Sequence, residues 1–409
     1  MTGLEQEVDP QDVGLDAGRL GRIGQHFSPL VDEGVFPGFL VVVSRGGKIA
    51  HLARHGWRDV ERQLPVETDT IFRIYSMTKP VTSVAAMILY EEGRFRLTDP
   101  VSDYIPAFAD TGVYVDGSYL KPVTRAATEP VRVWHLMTHT AGLTYGWMFR
   151  HACDAMYRAA GFEWGGPKGY DLERSCDAWA RIPLMFDPGS SWNYSVATDV
   201  LGRLVEIWSG KPLDEFFAER IFGPLEMTDT AFHAERSLDR LAVLYTPDPV
   251  THGLQPLDPM GGWATRKPDM LSGGGGLVST AGDYHRFAEM LLGRGELDGV
   301  RVLGPRTLDY MTCNHLPGGR DLASFGHPIA GEPDPGLGFG LGFSVVVDEA
   351  RHRVLSSPGE FAWGGAASTC FWVDPAEDLT VVFMTQLLPS SSVPVRPRLT
   401  PLVYQAIVD

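Results

Sequence analysis

The sequence predicts an α/β fold of the α+β kind, with an antiparallel sheet flanked by helices and a mostly helical second domain. Strand-like runs with turn residues lie near both ends of the chain, whereas the middle is rich in Trp, Pro and Gly and has short helical stretches. The 409 residues are enough for two domains. We therefore expect residues 1–95 and 271–409 to form the α/β domain with the antiparallel sheet, and residues 96–270 to form the helical domain.

The N-terminal part predicts a helix and then a hairpin. Residues 16–33 carry apolar side chains at helical spacing, with Asp16 as the cap and Gly34 as the stop. Two strand-like runs follow, and the turn Arg45-Gly46-Gly47 between them is typical of a β-hairpin. The next stretch with an apolar face begins close to Ser76 and predicts a buried helix.

The C-terminal part predicts an antiparallel meander closed by a helix. Turn residues at Asp348-Glu349 and at Asp374-Pro375 separate apolar runs, and residues 400–408 predict a final short helix. Because strand-like runs lie at both ends, we expect the two ends of the chain to share one sheet with helices packed on it. The run from Val250 to Thr280 predicts a long surface loop that returns to this domain.

Composition and charge exclude some classes of function. The net charge of −16 disfavours nucleic acid and anionic membranes, since both need a basic surface. The acidic N-terminus lacks the apolar core of a signal sequence, and no apolar run is long enough to span a bilayer. The four cysteines are scattered and show no metal-binding spacing. We expect a cytoplasmic protein with reduced thiols that binds neither nucleic acid nor membranes.

The first candidate for chemistry is the S-x-x-K pair of Ser76 and Lys79. Residues three apart share one face of a helix, and Pro80 is tolerated because it falls in the first turn. A serine hydroxyl needs a group that takes its proton, and a desolvated lysine can do so when burial brings its pKa below the free value of about 10.4. The spacing predicts a nucleophile and its base at the head of a buried helix.

A second S-x-x-K pair, Ser118 and Lys121, lies in the stretch "VDGSYLKPV". Its Gly, Asp and Pro residues predict a loop, with no apolar-periodic helix behind it. Because Ser and Lys are common residues, the pattern alone does not decide between the two pairs. The buried helix favours Ser76 and Lys79.

The third candidate is Tyr194, which ends a Gly- and Ser-rich turn just before a helix that stops at Gly210. A tyrosine held at a helix entry can point its phenol into a cleft and relay a proton between a nucleophile and a leaving group. Taken alone, the residue is as well explained by aromatic packing at a helix entry.

The stretch Trp363-Gly364-Gly365 interrupts an otherwise apolar strand. Glycine weakens a strand and often marks close approach of a ligand to the backbone, although a β-bulge would also explain it. The N–H group of Ala366, together with the N–H group of Ser76, is our candidate for an oxyanion hole.

Two further patterns predict structural roles. The glycine run "SGGGG" lacks the Lys-Ser/Thr of a phosphate loop, and we expect a structural role with its backbone near the cleft. Thr280 with Asp283 predicts the cap of a helix over 281–292. His135 and His139 have the spacing of a zinc pair, but leucine replaces the glutamate of the H-E-x-x-H motif. We expect both histidines to be hydrogen-bonded structural residues and expect no metal.

The motifs in this order resemble the serine β-lactamase and penicillin-binding-protein superfamily, and most of all the family VIII carboxylesterases of its class C-like branch. The stretches "LTDPVSDYIP", "LMTHTAGL", "FDPGSSWNYS" and "GGGGLVSTAGDYHRFAEML" extend the resemblance over most of the chain. It implies a β-lactamase-like fold with the active site between the two domains. The G-x-S-x-G motif of ordinary α/β-hydrolases does not occur in the sequence.

The resemblance also implies a role for each motif. Ser76 is the acyl-accepting nucleophile, Lys79 is its base partner, and Tyr194 is the tyrosine of the Tyr-x-Asn motif. Trp363 and the two glycines after it occupy the place of Lys-Thr-Gly. Whether Lys79 or Tyr194 is the first base stays open, because coupled groups titrate together. No metal or organic cofactor is implied.

The departures from the superfamily pattern shape the predicted specificity. Val196 stands where the β-lactamases and peptidases carry Asn, Trp363 stands in place of Lys, and Gly364 in place of Thr. Neither Val nor Trp can pair with an anion, so the site should favour neutral, apolar acyl esters. We predict Tyr145, Trp147 and the segment 250–272 as walls of the pocket.

The sequence thus predicts a serine carboxylesterase that acts on short-chain, neutral esters through an acyl-enzyme, with weak β-lactam hydrolysis left open. A β-lactamase or D-amino-acid peptidase is the first alternative, and a transacylase on the same fold is a closer one. A protein that only binds a ligand is the third, and the presence of all three catalytic residue types argues against it.

Overall fold

The computed structural model describes residues 4–251, 253–257, 262–329 and 334–408. The strands in chain order are β1 (Gly38–Arg45), β2 (Lys48–Asp59), β3 (Leu64–Pro65), β4 (Phe72–Arg73), β5 (Val113–Ser118), β6 (Lys121–Arg125), β7 (Tyr245–Pro247), β8 (Leu254–Pro256), β9 (Val278–Ser279), β10 (Glu296–Leu297), β11 (Val300–Arg301), β12 (Leu337–Phe339), β13 (Ser344–Val346), β14 (Phe361–Gly364), β15 (Cys370–Asp374) and β16 (Leu379–Met384).

The α-helices surround these strands. They are α1 (Ala17–Asp32), α2 (Thr78–Glu91), α3 (Val133–Met137), α4 (Ala152–Ala159), α5 (Leu172–Ala180), α6 (Ala197–Ser209), α7 (Leu213–Phe217), α8 (Ala281–Leu292), α9 (Pro305–Met311), α10 (Leu322–Phe325), α11 (Glu349–His352) and α12 (Val395–Tyr404).

An eight-stranded antiparallel sheet joins the two ends of the chain. Its order is β12-β13-β14-β15-β16-β1-β2-β3. At its centre β1 pairs with β16, with Leu40 opposite Met384 and Arg45 opposite Leu379. The prediction that the N-terminal hairpin and the C-terminal meander share one sheet is therefore confirmed, as is the turn after Asp374.

Both faces of the sheet are covered, which explains why β1 is almost uniformly apolar. Leu40 and Val42 point into the core that contains α2 and α8, whereas Val41 and Val43 point into the core that contains α1 and α12. Because side chains alternate along a strand, a strand buried on both faces needs apolar residues at successive positions. The predicted helices 16–33 and 281–292 match α1 and α8.

Three predictions of local structure were wrong. The last helix is Val395–Tyr404, and not 400–408, because Val395, Leu399 and Val403 form its buried face. At Asp348-Glu349 the chain forms the short helix α11, capped by the Asp348 carboxylate, before it turns into β14. The stretch around Ser118 is the exposed two-stranded hairpin β5–β6, and not a loop.

The segment predicted as one long loop, 250–280, contains regular structure where it is described. Strand β8 pairs with β7, and a 3₁₀ turn follows at Gly262–Thr265. Residues 252 and 258–261 lie outside the described part. The predicted domain boundaries at residues 95 and 271 stay predictions. Of the helices in the described ranges, none combines the length and apolarity that crossing a membrane requires.

Candidate active site

Ser76 lies in the 3₁₀ turn Tyr75–Met77, directly before α2. The preceding residue, Tyr75, has φ +43°, an uncommon value for a residue with a side chain, so the backbone turns sharply just before the serine. Pro80 falls in the first turn of α2, as the sequence predicts. The Nζ atom of Lys79 lies 3.3 Å from Ser76 Oγ, so the i,i+3 spacing does bring the two groups into contact.

Tyr194 reaches the same oxygen from the far side of the site. Its hydroxyl lies 2.6 Å from Ser76 Oγ, and its side chain is 4% exposed. Two hydrogen bonds of Asn193 hold the turn before α6: its backbone N–H donates to His139 O, and its side-chain Nδ2 donates to Leu143 O. The serine hydroxyl is therefore within reach of both predicted proton-transfer groups at once.

The Lys79 amine is deeply buried, with 2% of the residue exposed. Its Nζ donates to the carbonyl oxygen of Gly274 at 2.6 Å, in addition to its contact with Ser76. The rings of Tyr194 and Tyr145 lie 4.5 and 5.4 Å from Nζ, so two aromatic faces enclose it. This arrangement fixes the amine against the serine and leaves it little room to move.

His135 and His139 make hydrogen bonds with different parts of the structure. His139 Nδ1 lies 3.2 Å from Ser195 Oγ, and its ring is 4.9 Å from the ring of Tyr194. His135 Nδ1 instead accepts the N–H of Arg132. Burial lowers the pKa of His135 to about 3, and burial together with the charge of Lys79 holds the pKa of His139 well below its usual value. Both are neutral structural residues, and His139 supports Tyr194.

The end of strand β14 lies against the turn that carries Ser76. A side chain at Gly365 would place its Cβ 2.4 Å from Ile74 O, so the glycine is required by approach of the protein's own backbone rather than of a ligand. This corrects the sequence interpretation of Gly365. Within the described ranges, the N–H groups of Ser76 and Ala366 donate to no protein acceptor. Both are therefore free to donate to a substrate oxygen.

Aromatic rings form one wall of the site. Trp363, partly buried in β14, packs 5.6 Å from the Tyr194 ring. Tyr145 lies 5.4 Å from Tyr194, and Trp147 stacks on Tyr145 at 5.2 Å. Trp164, which the sequence did not single out, stacks on Trp147 at 5.8 Å and is 45% exposed. The rings of Tyr145, Trp147 and Trp363 thus lie around the ring of Tyr194, and their role as pocket walls stays a prediction.

Within the described part of the segment 250–272, Leu257 and Ser272 lie close to residues of the site. The Ser272 hydroxyl donates to the Asp199 carboxylate, which also accepts the N–H of Gly274. Leu257 packs in the same apolar cluster as Tyr75 and Ala366. Asp269, by contrast, accepts the N–H of Gly169, on the side of the helical region. Residues 252 and 258–261 lie outside the described part, and the segment 250–272 as a pocket wall stays a prediction.

The second S-x-x-K pair has a different geometry. The Lys121 backbone N–H, not its amine, donates to Ser118 Oγ at 3.3 Å. Both residues are exposed on the hairpin β5–β6. Neither a buried lysine nor a tyrosine contact activates this serine.

Comparison with known proteins decides the family. The sequence pattern described as "Beta-lactamase" matches residues 23–405. The chain belongs to the β-lactamase family. The resemblance and the β-lactamase-like fold predicted from the sequence are confirmed, and the esterases among its relatives identify the chain as a serine hydrolase.

Similar proteins extend over nearly the whole chain. Rv1367c of Mycobacterium tuberculosis is 37% identical over 370 residues, which is 88% of each chain. Esterase EstB of Burkholderia gladioli is 32% identical over 395 residues, 92% of this chain and 93% of its own. The solved structure of EstCE1, described as a hydrolase with promiscuous acyltransferase activity, superposes with a TM-score of 0.79 at 26% identity, covering 96% of this chain and 99% of that one.

Besides Trp164, the sequence interpretation missed the contributions of Gly274 and Asp199 to the site. Gly274 contributes a backbone carbonyl, which leaves no side-chain pattern. Its glycine run was expected to be structural with its backbone near the cleft, but the contact with Lys79 was not predicted. Asp199 lies in the first turn of α6, where a carboxylate is usually explained by the helix dipole. The signal that was available is the unusual density of glycines at 273–276, which marks a place where backbones approach closely.

The two S-x-x-K lysines provide a matched test of the geometry. Lys79→Met keeps the buried volume but removes the amine, and we expect kcat/KM for 4-nitrophenyl butyrate to fall by about 100-fold or more. Lys121→Met should stay within a few-fold of the wild type, because Lys121 Nζ has no contact with a serine hydroxyl. Circular dichroism would verify that both variants fold, and equal losses in the two variants would contradict the assignment.

Proposed function

We propose that this protein is a serine carboxylesterase of the family VIII kind, which hydrolyses short-chain, neutral carboxylic esters through an acyl-enzyme on Ser76. The observation that carries the proposal is the double contact of Ser76 Oγ, with Lys79 Nζ at 3.3 Å and with the Tyr194 hydroxyl at 2.6 Å. Similarity to an esterase at 32% identity over 395 residues supports the same chemistry.

Acylation follows from this geometry. Ser76 Oγ attacks the ester carbonyl carbon and loses its proton to the Lys79–Tyr194 pair. The carbonyl oxygen becomes an oxyanion, which the N–H groups of Ser76 and Ala366 stabilise. When the intermediate collapses, the bond from carbon to the alcohol oxygen breaks, and Tyr194 gives a proton to the leaving alkoxide.

Deacylation reverses the roles of the same groups. Water attacks the acyl carbon, its proton passes to the Lys79–Tyr194 pair, and the bond between carbon and Ser76 Oγ breaks as the serine regains a proton. An alcohol in place of water would give transacylation by the same steps. The structural similarity to EstCE1, a hydrolase with promiscuous acyltransferase activity, makes acyl transfer the second candidate function.

The aromatic wall supports the preference for neutral esters. Trp363 presents a ring where the β-lactamase pattern has a lysine, and it packs against Tyr194 and Phe339. Val196 is 4% exposed and belongs to the apolar core. A substrate carboxylate at this wall would lose its hydration without gaining a cation, which costs more than burying a neutral acyl chain. A β-lactamase or D-amino-acid peptidase is therefore the weaker alternative.

The proposal also covers the cellular compartment and the binding partners of the enzyme. The net charge of −16 disfavours nucleic acid and anionic membranes, so we infer that the partner is a small ester. The four free cysteines are typical of a reducing compartment, and we infer a cytoplasmic protein. The proposed chemistry uses only side chains and backbone N–H groups of this chain.

Tyr194→Phe tests the leaving-group role. Alkyl alkoxides need a proton in order to leave, whereas 4-nitrophenolate does not at neutral pH. We expect kcat/KM for ethyl butyrate to fall by at least about tenfold more than kcat/KM for 4-nitrophenyl butyrate. Tyr119→Phe, on an exposed hairpin tyrosine, is the control and should change neither value. Equal losses on both esters would show that Tyr194 does not protonate the leaving group.

The choice between esterase and β-lactamase is tested by substrate comparison. We expect kcat/KM for 4-nitrophenyl butyrate to exceed that for a chromogenic cephalosporin by about 100-fold or more, because the carboxylate of the drug meets no cation at Trp363. 4-Nitrophenyl hemisuccinate isolates the effect of charge, since it has the same leaving group and an anionic acyl chain. A cephalosporin turned over as fast as the butyrate ester would favour the β-lactamase alternative.

A further inference from the structure

The glycine segment 273–276 is hydrogen-bonded along one face of helix α2. Thr82 Oγ1 donates to Gly273 O at 2.7 Å, and Leu277 N–H donates to Thr78 Oγ1 at 3.1 Å. Between these two bonds, Lys79 Nζ donates to Gly274 O. The segment therefore follows the face of α2 that carries the catalytic lysine.

The other side of the segment is held by Asp199 of helix α6. Gly274 N–H donates to the Asp199 carboxylate at 3.0 Å, and the Ser272 hydroxyl donates to the same oxygen. A Cβ at position 274 would lie 2.4 Å from Asp199 Oδ2, so only glycine admits the carboxylate. Asp199 itself is 3% exposed. A single residue, Gly274, thus connects a buried carboxylate through its N–H to the lysine amine through its carbonyl.

We propose that Asp199 is a positioning residue for Lys79. Asp199 acts through Gly274, and it also supplies the buried negative charge that the Lys79 amine faces. The inference rests on the proposed role of Lys79 as the base partner of Ser76. The Asp199 carboxylate fixes the orientation of Gly274. The Gly274 carbonyl oxygen then accepts a hydrogen bond from the Lys79 amine. The remaining side of the amine is directed at Ser76 Oγ.

The other titratable groups around the Lys79 amine carry no negative charge at neutral pH. Burial holds the pKa of the Tyr145 phenol well above its usual value, and His139 is a neutral imidazole. Burial raises the pKa of Asp199, and the charge of Lys79 partly opposes that rise. Among the described residues, Asp199 is the carboxylate that acts on this amine.

Asp283 provides a matched control. Like Asp199 it is the third residue of a helix, α8, it is buried, and its carboxylate accepts a backbone N–H, that of Asp229 at 2.8 Å. Burial raises its pKa as well. Asp283 has no contact with Lys79 or Gly274, so its replacement by Asn reproduces the local change without the connection to the amine.

The experiment measures the rate of Ser76 labelling by a fluorophosphonate as a function of pH, for the full chain and for Asp199→Asn, Asp199→Ala and Asp283→Asn. A nearby negative charge favours the protonated form of the group that accepts the serine proton, and Asn removes that charge while its amide oxygen can still accept the Gly274 N–H. We expect the acid limb of the labelling profile in Asp199→Asn to move to lower pH by about one unit, with a plateau rate within a few-fold of the wild type. In Asp199→Ala, which also frees Gly274, the plateau should fall by about tenfold or more.

The outcomes separate this inference from the proposed function. An Asp199→Asn profile that coincides with the wild type, or an equal shift in Asp283→Asn, would overturn the inference while labelling of Ser76 continues. Failure of Ser76 to label in the wild type would instead overturn the proposed function. If Asp199→Asn does not fold, Ser272→Ala removes one of the hydrogen bonds that orient the same carboxylate and should lower the plateau rate by a few-fold. An unchanged plateau rate in that variant would count against the inference.

Discussion

The burial of one lysine amine constrains the rest of the site. A buried amine is costly unless hydrogen bonds and nearby electron-rich groups compensate for lost water, and Lys79 is 2% exposed. A backbone carbonyl, a serine hydroxyl and two aromatic faces compensate here. Each comes from a different part of the chain: the glycine segment, the turn before α2, and the turns that carry Tyr145 and Tyr194. The active site is therefore a consequence of how these parts pack around the amine.

The part of this arrangement that depends on local spacing could be predicted from the sequence. The i,i+3 relation of Ser76 and Lys79, the helix entry at Tyr194 and the two-ended sheet all follow from periodicity and turn residues. The bond from Lys79 to Gly274 spans 195 residues and ends on a carbonyl, which every residue has. A sequence pattern therefore cannot indicate such a contact. Asp199 was missed for the same reason, because it contacts a backbone N–H group far away in the sequence.

The roles of two glycines, Gly365 and Gly274, could be assigned only from the structure. Gly365 was expected to make room for a ligand, but it makes room for the carbonyl of Ile74, which brings strand β14 against the turn of Ser76. Gly274 makes room for a carboxylate. In both cases the missing side chain permits contact between two parts of the protein that hold the nucleophile. We infer that substrate specificity depends on the side chains that differ from the β-lactamase pattern, above all Trp363 beside Tyr194.

The central claim is that Ser76 carries the acyl group, and acid-quenched intact-mass analysis across an ester panel tests it most directly. We expect an added acyl mass, mapped by peptide digestion to the peptide that contains Ser76, which disappears in Ser76→Ala and persists in Ser118→Ala. The matched serines differ in burial and in contact with Lys79, so the comparison isolates the geometry described for the site. An adduct on another peptide, or wild-type ester turnover by a folded Ser76→Ala variant, would contradict the account.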